Sequence, residues 1–284
     1  MTALVVGANG ATGSQLLREL LNRNVNVKII VRGAEKLPND IRTHKNLTII
    51  EASILHLSDN EMVDYLKDCD AVASCLGHNI SLKGIYGNPK MLVTDSVKRL
   101  CNAIKENNPV KPVKFVLMNT TANNNKDINE KLTVMEKLVF SLLRNLLPPQ
   151  LDNERAADYL RKDIGNNNKI IEWSIVRPDT LINENIVSEY SVLPSPIRSP
   201  IFDAGKTSRI NVGHFLSELI TNENIVSEYR VFPSPIRSPI FDAGKTSRIN
   251  VGHFMSELIT NENTWEKWKG KMPVIYNAAY SLRK

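Results

Sequence analysis

The stretch Ala3-Leu4-Val5-Val6-Gly7-Ala8-Asn9-Gly10-Ala11-Thr12-Gly13 decides the architecture. Its first four residues are an unbroken apolar run with β-branched side chains, the pattern of a parallel strand buried on both faces. Beyond the glycines, Leu16, Leu17, Leu20 and Leu21 make a stripe at helical spacing, and Val25 to Val31 reads as a second strand. The three glycines therefore stand where a strand must turn tightly into a helix. Backbone amides there can approach a pyrophosphate, and the helix dipole favours its charge. Gly7, Asn9, Gly10, Ala11, Thr12 and Gly13 are the expected phosphate loop, with the spacing GxxGxxG.

The end of the second strand speaks to the cofactor. An NAD site places Asp or Glu there to bind the ribose hydroxyls. Here Val31 is followed by Arg32, with Lys36 four residues on and no carboxylate before Glu35. Cations at this point suit a 2′-phosphate, so Arg32 and Lys36 are expected to favour NADP(H); solvated surface cations are the plainer alternative.

Further strand-like runs recur at Leu47 to Ile50, Ala71 to Leu76, Val113 to Met118 and Ile170 to Val176. Helical stretches separate them, at Asp59 to Leu66, Leu92 to Ile104 and Arg155 to Leu160. This alternation predicts an α/β fold, a Rossmann-type doubly wound parallel sheet. Ligands in such sheets sit beyond the carboxyl ends of the strands. The residues expected there are Ser53 and Ile54, Leu76, Gly77 and His78, Asn119, Thr120 and Thr121, and Pro178.

Composition removes several classes. The chain has 284 residues, 42% hydrophobic and 23% charged, which excludes intrinsic disorder and collagen-like repeats. Its 36 basic against 30 acidic residues leave a net charge of +6 with no clustered basic arm, so an anionic small ligand is expected rather than nucleic acid. Cys69, Cys75 and Cys101 show neither paired spacing nor a zinc pattern and are expected to be reduced core residues, with no metal site. No window is apolar enough to span a membrane, and no basic region precedes Ala3, so a cytoplasmic protein is expected.

Longer motifs add a resemblance. The glycine loop, Cys75-Leu76-Gly77-His78, Val116-Leu117-Met118-Asn119-Thr120-Thr121, Leu146-Leu147-Pro148-Pro149 with Asp152-Asn153-Glu154, Trp173-Ser174-Ile175-Val176-Arg177-Pro178 and the closing Lys269 to Tyr276 resemble the NmrA-like, atypical short-chain dehydrogenase/reductases. The resemblance implies an NADP(H)-binding Rossmann domain over residues 1–182, a small carboxy-terminal substrate lobe, and reduction or oxidation of a small-molecule substrate. Short-chain dehydrogenases use a Tyr-x-x-x-Lys pair, whose cation lowers the phenol pKa. Tyr159 has Lys162 at the wrong spacing and Asp163 at the +4 place, while Tyr86 and Lys90 have the spacing but precede the fifth strand. Thr120 or Thr121 is then the expected substrate-binding hydroxyl, with turn capping as the alternative. His78 is a candidate acid whose alternative is a structural role. Two functions stay open, an NADP(H)-dependent oxidoreductase and an NmrA-type redox sensor that reports cofactor occupancy to a protein partner; a folded but inactive product of duplication is a third.

The duplication is explicit. Residues 183–221 and 222–260 are 39-residue blocks identical at 36 positions, differing at Ser191/Arg230, Leu193/Phe232 and Leu216/Met255. The family pattern calls for one copy. With Phe232 offering the larger apolar side chain and the second copy running directly into Trp265 and Trp268, residues 222–284 are expected to form the substrate lobe and 183–221 a peripheral insertion.

Overall fold

Thr2–Val6 forms β1, and all of Ala3 to Val6 is buried, as its unbroken apolar run requires. The computed structural model describes residues 1–79, 81–128, 130, 132–183, 190–196, 199–208, 255–256, 259–260 and 262–277. After β1 come α1 (Gly13–Asn22), β2 (Asn26–Val31), a short α2 (Asn39–Arg42), β3 (Leu47–Glu51), α3 (Asp59–Leu66) and β4 (Ala71–Ser74). The second half brings α4 (Leu82–Tyr86), α5 (Leu92–Asn107), β5 (Val113–Met118), α6 (Val134–Leu146), α7 (Pro148–Asp158) and β6 (Ile171–Pro178). β7 (Thr180–Ile182), β8 (Tyr190–Leu193), β9 (Lys206–Ser208), α8 (Glu262–Trp268) and β10 (Val274–Asn277) follow.

Eight strands form one sheet in the order β3-β2-β1-β4-β5-β6-β10-β8, parallel except where β8 runs against β10. The reversal of strand order at β1 and β4 is the doubly wound arrangement, and it opens a crevice above the carboxyl ends of those strands. Each face of the sheet carries its own core. On one, α1 packs Leu16, Leu17 and Leu20 beside Val5 and Ala73; on the other, α3, α5 and α7 bury Met62, Leu100 and Ala156 against Leu4 and Phe115. The three cysteines are buried and free, and burial pushes the Cys69 thiol up to about 11 and that of Cys75 to about 12.

Two parts differ from expectation. The stretch at Arg155 is the end of a longer helix that begins at Pro148, whose missing amide is harmless in a first turn, and it continues as a π-turn over Tyr159–Ile164. The described part of the first repeat copy is not peripheral. Its β8 pairs with β10 and its β9 with β7, Gly205 donates to the Asp179 carboxylate at 2.7 Å, and Ser199 bonds Glu136 on α6. Of the second copy, Met255 and Ile259 are fully buried on the α1 face of the sheet. The remainder of both copies, Phe232 included, lies outside the described residues.

Candidate functional site

Gly7 leaves β1 with φ +80°, a conformation that costs an L side chain strain. A Cβ there would stand 2.6 Å from the carbonyl carbon and oxygen of Cys75, because the chain leaving β4 crosses directly over it. At Gly13 a Cβ would lie 2.2 Å from the Gly7 carbonyl oxygen, so the first turn of α1 can press against the loop only without a side chain. Gly10 donates to Gly7 at 2.9 Å and closes the turn. The amides of Ala11, Thr12 and Gly13 find no acceptor among the described residues. Asn9 anchors the loop by donating to the Gly33 carbonyl at 2.8 Å, while its own Oδ1 is buried without a partner. Free amides, an orphaned oxygen and a turn that excludes side chains fit a phosphate-bearing ligand at the positive end of α1.

A cleft of about 930 Å³ opens above this loop. Gly7, Asn9, Gly10, Arg32, Lys36, Ser53, Ile54, Leu76 and Gly77 line it, so four strand ends converge as the sequence implies. Ala11, Thr12 and Gly13 are not among the residues that line it. Arg32 and Lys36 are exposed and make no ion pair among the described residues, which leaves two cations uncommitted at the end of β2. Glu35 shares that rim with its carboxylate folded against Gly33, and His56 lies beyond Ser53. Gly77 has open space where a Cβ would be.

Leu76 and Gly77 apart, the residues nominated beyond strands four to six make bonds within the scaffold. Thr120 accepts from the Ala122 amide at 3.2 Å, the turn-capping alternative, and neither it nor Thr121 lines the cleft. Asn119 is buried, with its amide group donating to the Asn153 carbonyl at 2.9 Å and its oxygen accepting from the Thr120 amide. Pro178 closes β6 and its carbonyl accepts from the Thr121 amide at 3.3 Å. His78 places one ring nitrogen 2.8 Å from Asp152 and the other 3.2 Å from the Gly84 carbonyl, so neither points free. Tyr86 is half-exposed and no tyrosine lines the cleft among the described residues. Tyr159 faces a separate cleft with Lys98, Lys162 and Asp163, and burial, followed by Cys101 and Asp163, pushes its phenol up to about 12. That is the wrong direction for a proton shuttle near neutrality.

Two buried nodes behind the site were not foreseen. Asp152 is fully buried and accepts from the Val93 and Thr94 amides at 2.8 Å each, capping α5 while orienting His78. Arg177, also fully buried, forms a bidentate pair with Glu130 at 2.6 and 3.0 Å and donates to the carbonyls of Met272 and Asn123. Arg177 thereby ties the loop after β5 and the segment before β10 to β6. Both residues stand within or beside quoted motifs, but their partners are distant in sequence, so spacing alone could not pair them.

The NAD(P)H-binding family model matches residues 7–223. No curated protein matches the chain in sequence. Among solved structures, a short-chain dehydrogenase/reductase of Veillonella parvula in complex with NADP aligns at 13% identity and TM-score 0.61, covering 99% of this chain and 96% of that one. An oxidoreductase of Lactococcus lactis aligns at 16% identity and TM-score 0.58, covering 98% and 91%. An anaerobillin reductase of Escherichia coli O157:H7 aligns at 10% identity and TM-score 0.57 over 100% of both chains. At these identities the likeness concerns the fold. No helix among the described residues is long and apolar enough to cross a membrane, and no metal-ligating cluster occurs among them.

Proposed function

The chain belongs to the NAD(P)H-binding family, and we propose that it is a cytoplasmic NADP(H)-dependent oxidoreductase acting on a small-molecule substrate. One observation carries the choice of cofactor: Arg32 and Lys36 flank the cleft unpaired among the described residues, at the strand end where an NAD site keeps a carboxylate. The glycine loop and the amides of Ala11 to Gly13 would hold the pyrophosphate, Arg32 and Lys36 the 2′-phosphate, and Ser53 and Ile54 the adenosine end. When bound, the nicotinamide supplies hydride chemistry. Leu76 and Gly77 bound the cleft at the end of β4, and the family's tyrosine–lysine pair has no counterpart among its described residues, so the proton for a reduced product comes from solvent or from the substrate.

Calorimetry tests the cofactor. NADP(H) is expected to bind more tightly than NAD(H), and Arg32→Ala to cost about 1.5–3 kcal/mol for NADP(H), the range for a hydrogen bond to a charged group, with little change for NAD(H). Equal losses for both would remove Arg32 from the phosphate site. Turnover is read as loss of NADPH absorbance with quinones, aldehydes and ketones. The engaged His78, the turn-capping Thr120 and the lack of a lining tyrosine among the described residues favour a second reading, an NADP(H) sensor acting through a protein partner. Inactivity across that panel, with partner binding that differs between NADP+ and NADPH, would select the sensor.

A further inference from the structure

The groove that receives the second repeat copy is built from described residues. Met255, Ser256 and Ile259 are fully buried there, in the core shared by Leu16, Val116, Val176 and Ile275. The Cys75 thiol donates to Met255 Sδ at 3.5 Å, and Arg23 donates to Ser256 Oγ at 3.0 Å. One repeat earlier the chain carries Leu216, Ser217 and Ile220, the same set with a single Met-to-Leu exchange. Yet β8, whose Val192 shares this core, comes from the first copy. Ser208 and Met255 are separated by 46 residues, where one copy would place seven.

We propose that this groove accepts either copy, residues 216–221 exchanging with 255–260 of the same chain, so that the protein has two threadings of one fold. The exchange keeps the serine that meets Arg23 and the isoleucine that fills the core. It replaces the thioether against Cys75 by a side chain of similar volume, the kind of swap cores tolerate best. The connections favour the observed threading only modestly. In it, 46 residues join Ser208 to Met255; in the other, seven join Ser208 to Leu216 and 39 more lie between Thr221 and Asn261. Closure entropy grows only with the logarithm of length, so on the (3/2)RT ln n scaling the second threading is the rarer by about 15-fold. Cys75 also lines the cofactor cleft, and the exchange therefore alters the side chain packed beneath it.

Redundancy is the signature to measure, by thermal unfolding of the full-length chain without cofactor. Ile259→Asp alone should lower Tm by no more than about 5 °C, because the first copy takes the groove, and Ile220→Asp alone should lower it by less. The double variant leaves neither copy with its core isoleucine and should lose more than about 8 °C. The proposal is overturned if Ile259→Asp alone falls as far as the double, if Ile220→Asp alone does so, or if the double stays near wild type. Rescue that fades on dilution, with a dimer in sedimentation, would assign the spare copy to a second molecule and overturn exchange within one chain.

Discussion

Gly7 and Gly77 share the cleft but not the reason for being glycine. A methyl at Gly7 meets the Cys75 backbone at 2.6 Å and forces a side chain into φ +80°, whereas at Gly77 nothing lies within 4 Å. Gly7→Ala is therefore expected to lower Tm by several degrees, with about 1–3 kcal/mol from the backbone conformation alone. Gly77→Ala should leave Tm unchanged and weaken NADP(H) by about tenfold, about 1.4 kcal/mol, as measured by calorimetry, since the methyl projects into space the dinucleotide would use. Unaltered affinity in that variant would take Gly77 out of the site. At this scale the glycine loop was legible because each glycine answers to local geometry. Asp152 and Arg177 were not, because a buried charge is explained by its partner, and Val93, Thr94, Glu130 and Met272 come from other elements. Thr120 shows the opposite error: a hydroxyl at the right strand end is used within its own turn.

α6 is the element that periodicity did not disclose. Its apolar residues at Val134, Leu138, Leu142 and Leu146 recur every fourth position but face outward, while Glu136 and Phe140 are the buried ones, so its stripe does not point to the core. What fixes its start is a capping box. Glu136 accepts from the Thr133 amide at 2.7 Å and from its hydroxyl at 2.8 Å, Thr133 Oγ1 accepts from the Glu136 amide at 3.2 Å, and Ser199 donates to the same carboxylate. Burial alone would raise the Glu136 pKa, but the bonds from Ser199 and Thr133 outweigh it and hold the carboxyl below its ordinary 4.5. A depressed carboxylate contributes stability that is present above 4.5 and lost as pH falls through the lower, folded value. Glu136→Gln should accordingly be less stable than wild type by about 1 kcal/mol at pH 7, with the gap closing below pH 4.5. Tm followed from pH 7 downward measures this, and a gap of constant size would mean that the charge is not what the cap uses. The parallel strands were plain because burial on both faces leaves no polar alternation to misread. β7 and β9 are three residues each and pair with one another, too short for any pattern.

For the molecule as a whole, the repeat makes deletions informative in an unusual way. Removing 183–221, 222–260 or 209–247 gives three 245-residue chains that differ only at the positions of Ser191/Arg230, Leu193/Phe232 and Leu216/Met255. Comparing them therefore weighs those side chains and says little about where the surplus sits. Leu193 is half-buried in β8 and Met255 fully buried, so the Leu/Phe and Met/Leu exchanges are each expected to move stability by less than about 1.5 kcal/mol. The comparison with the full-length chain is the decisive one. Deleting 209–247 retains β8, β9, Met255 and Ile259 and shortens the link between Ser208 and Met255 from 46 residues to seven. On the (3/2)RT ln n scaling this removes about 1.7 kcal/mol of closure entropy. The deletion is expected to raise Tm by about 3–6 °C and to leave NADP(H) affinity unchanged, because no described residue of the cleft is touched. Calorimetry and thermal unfolding on the same preparation decide it. A lower Tm, or a loss of cofactor binding, would show that residues 209–247 hold contacts the fold depends on, and the extra 39 residues would then be a structural part of the protein rather than surplus.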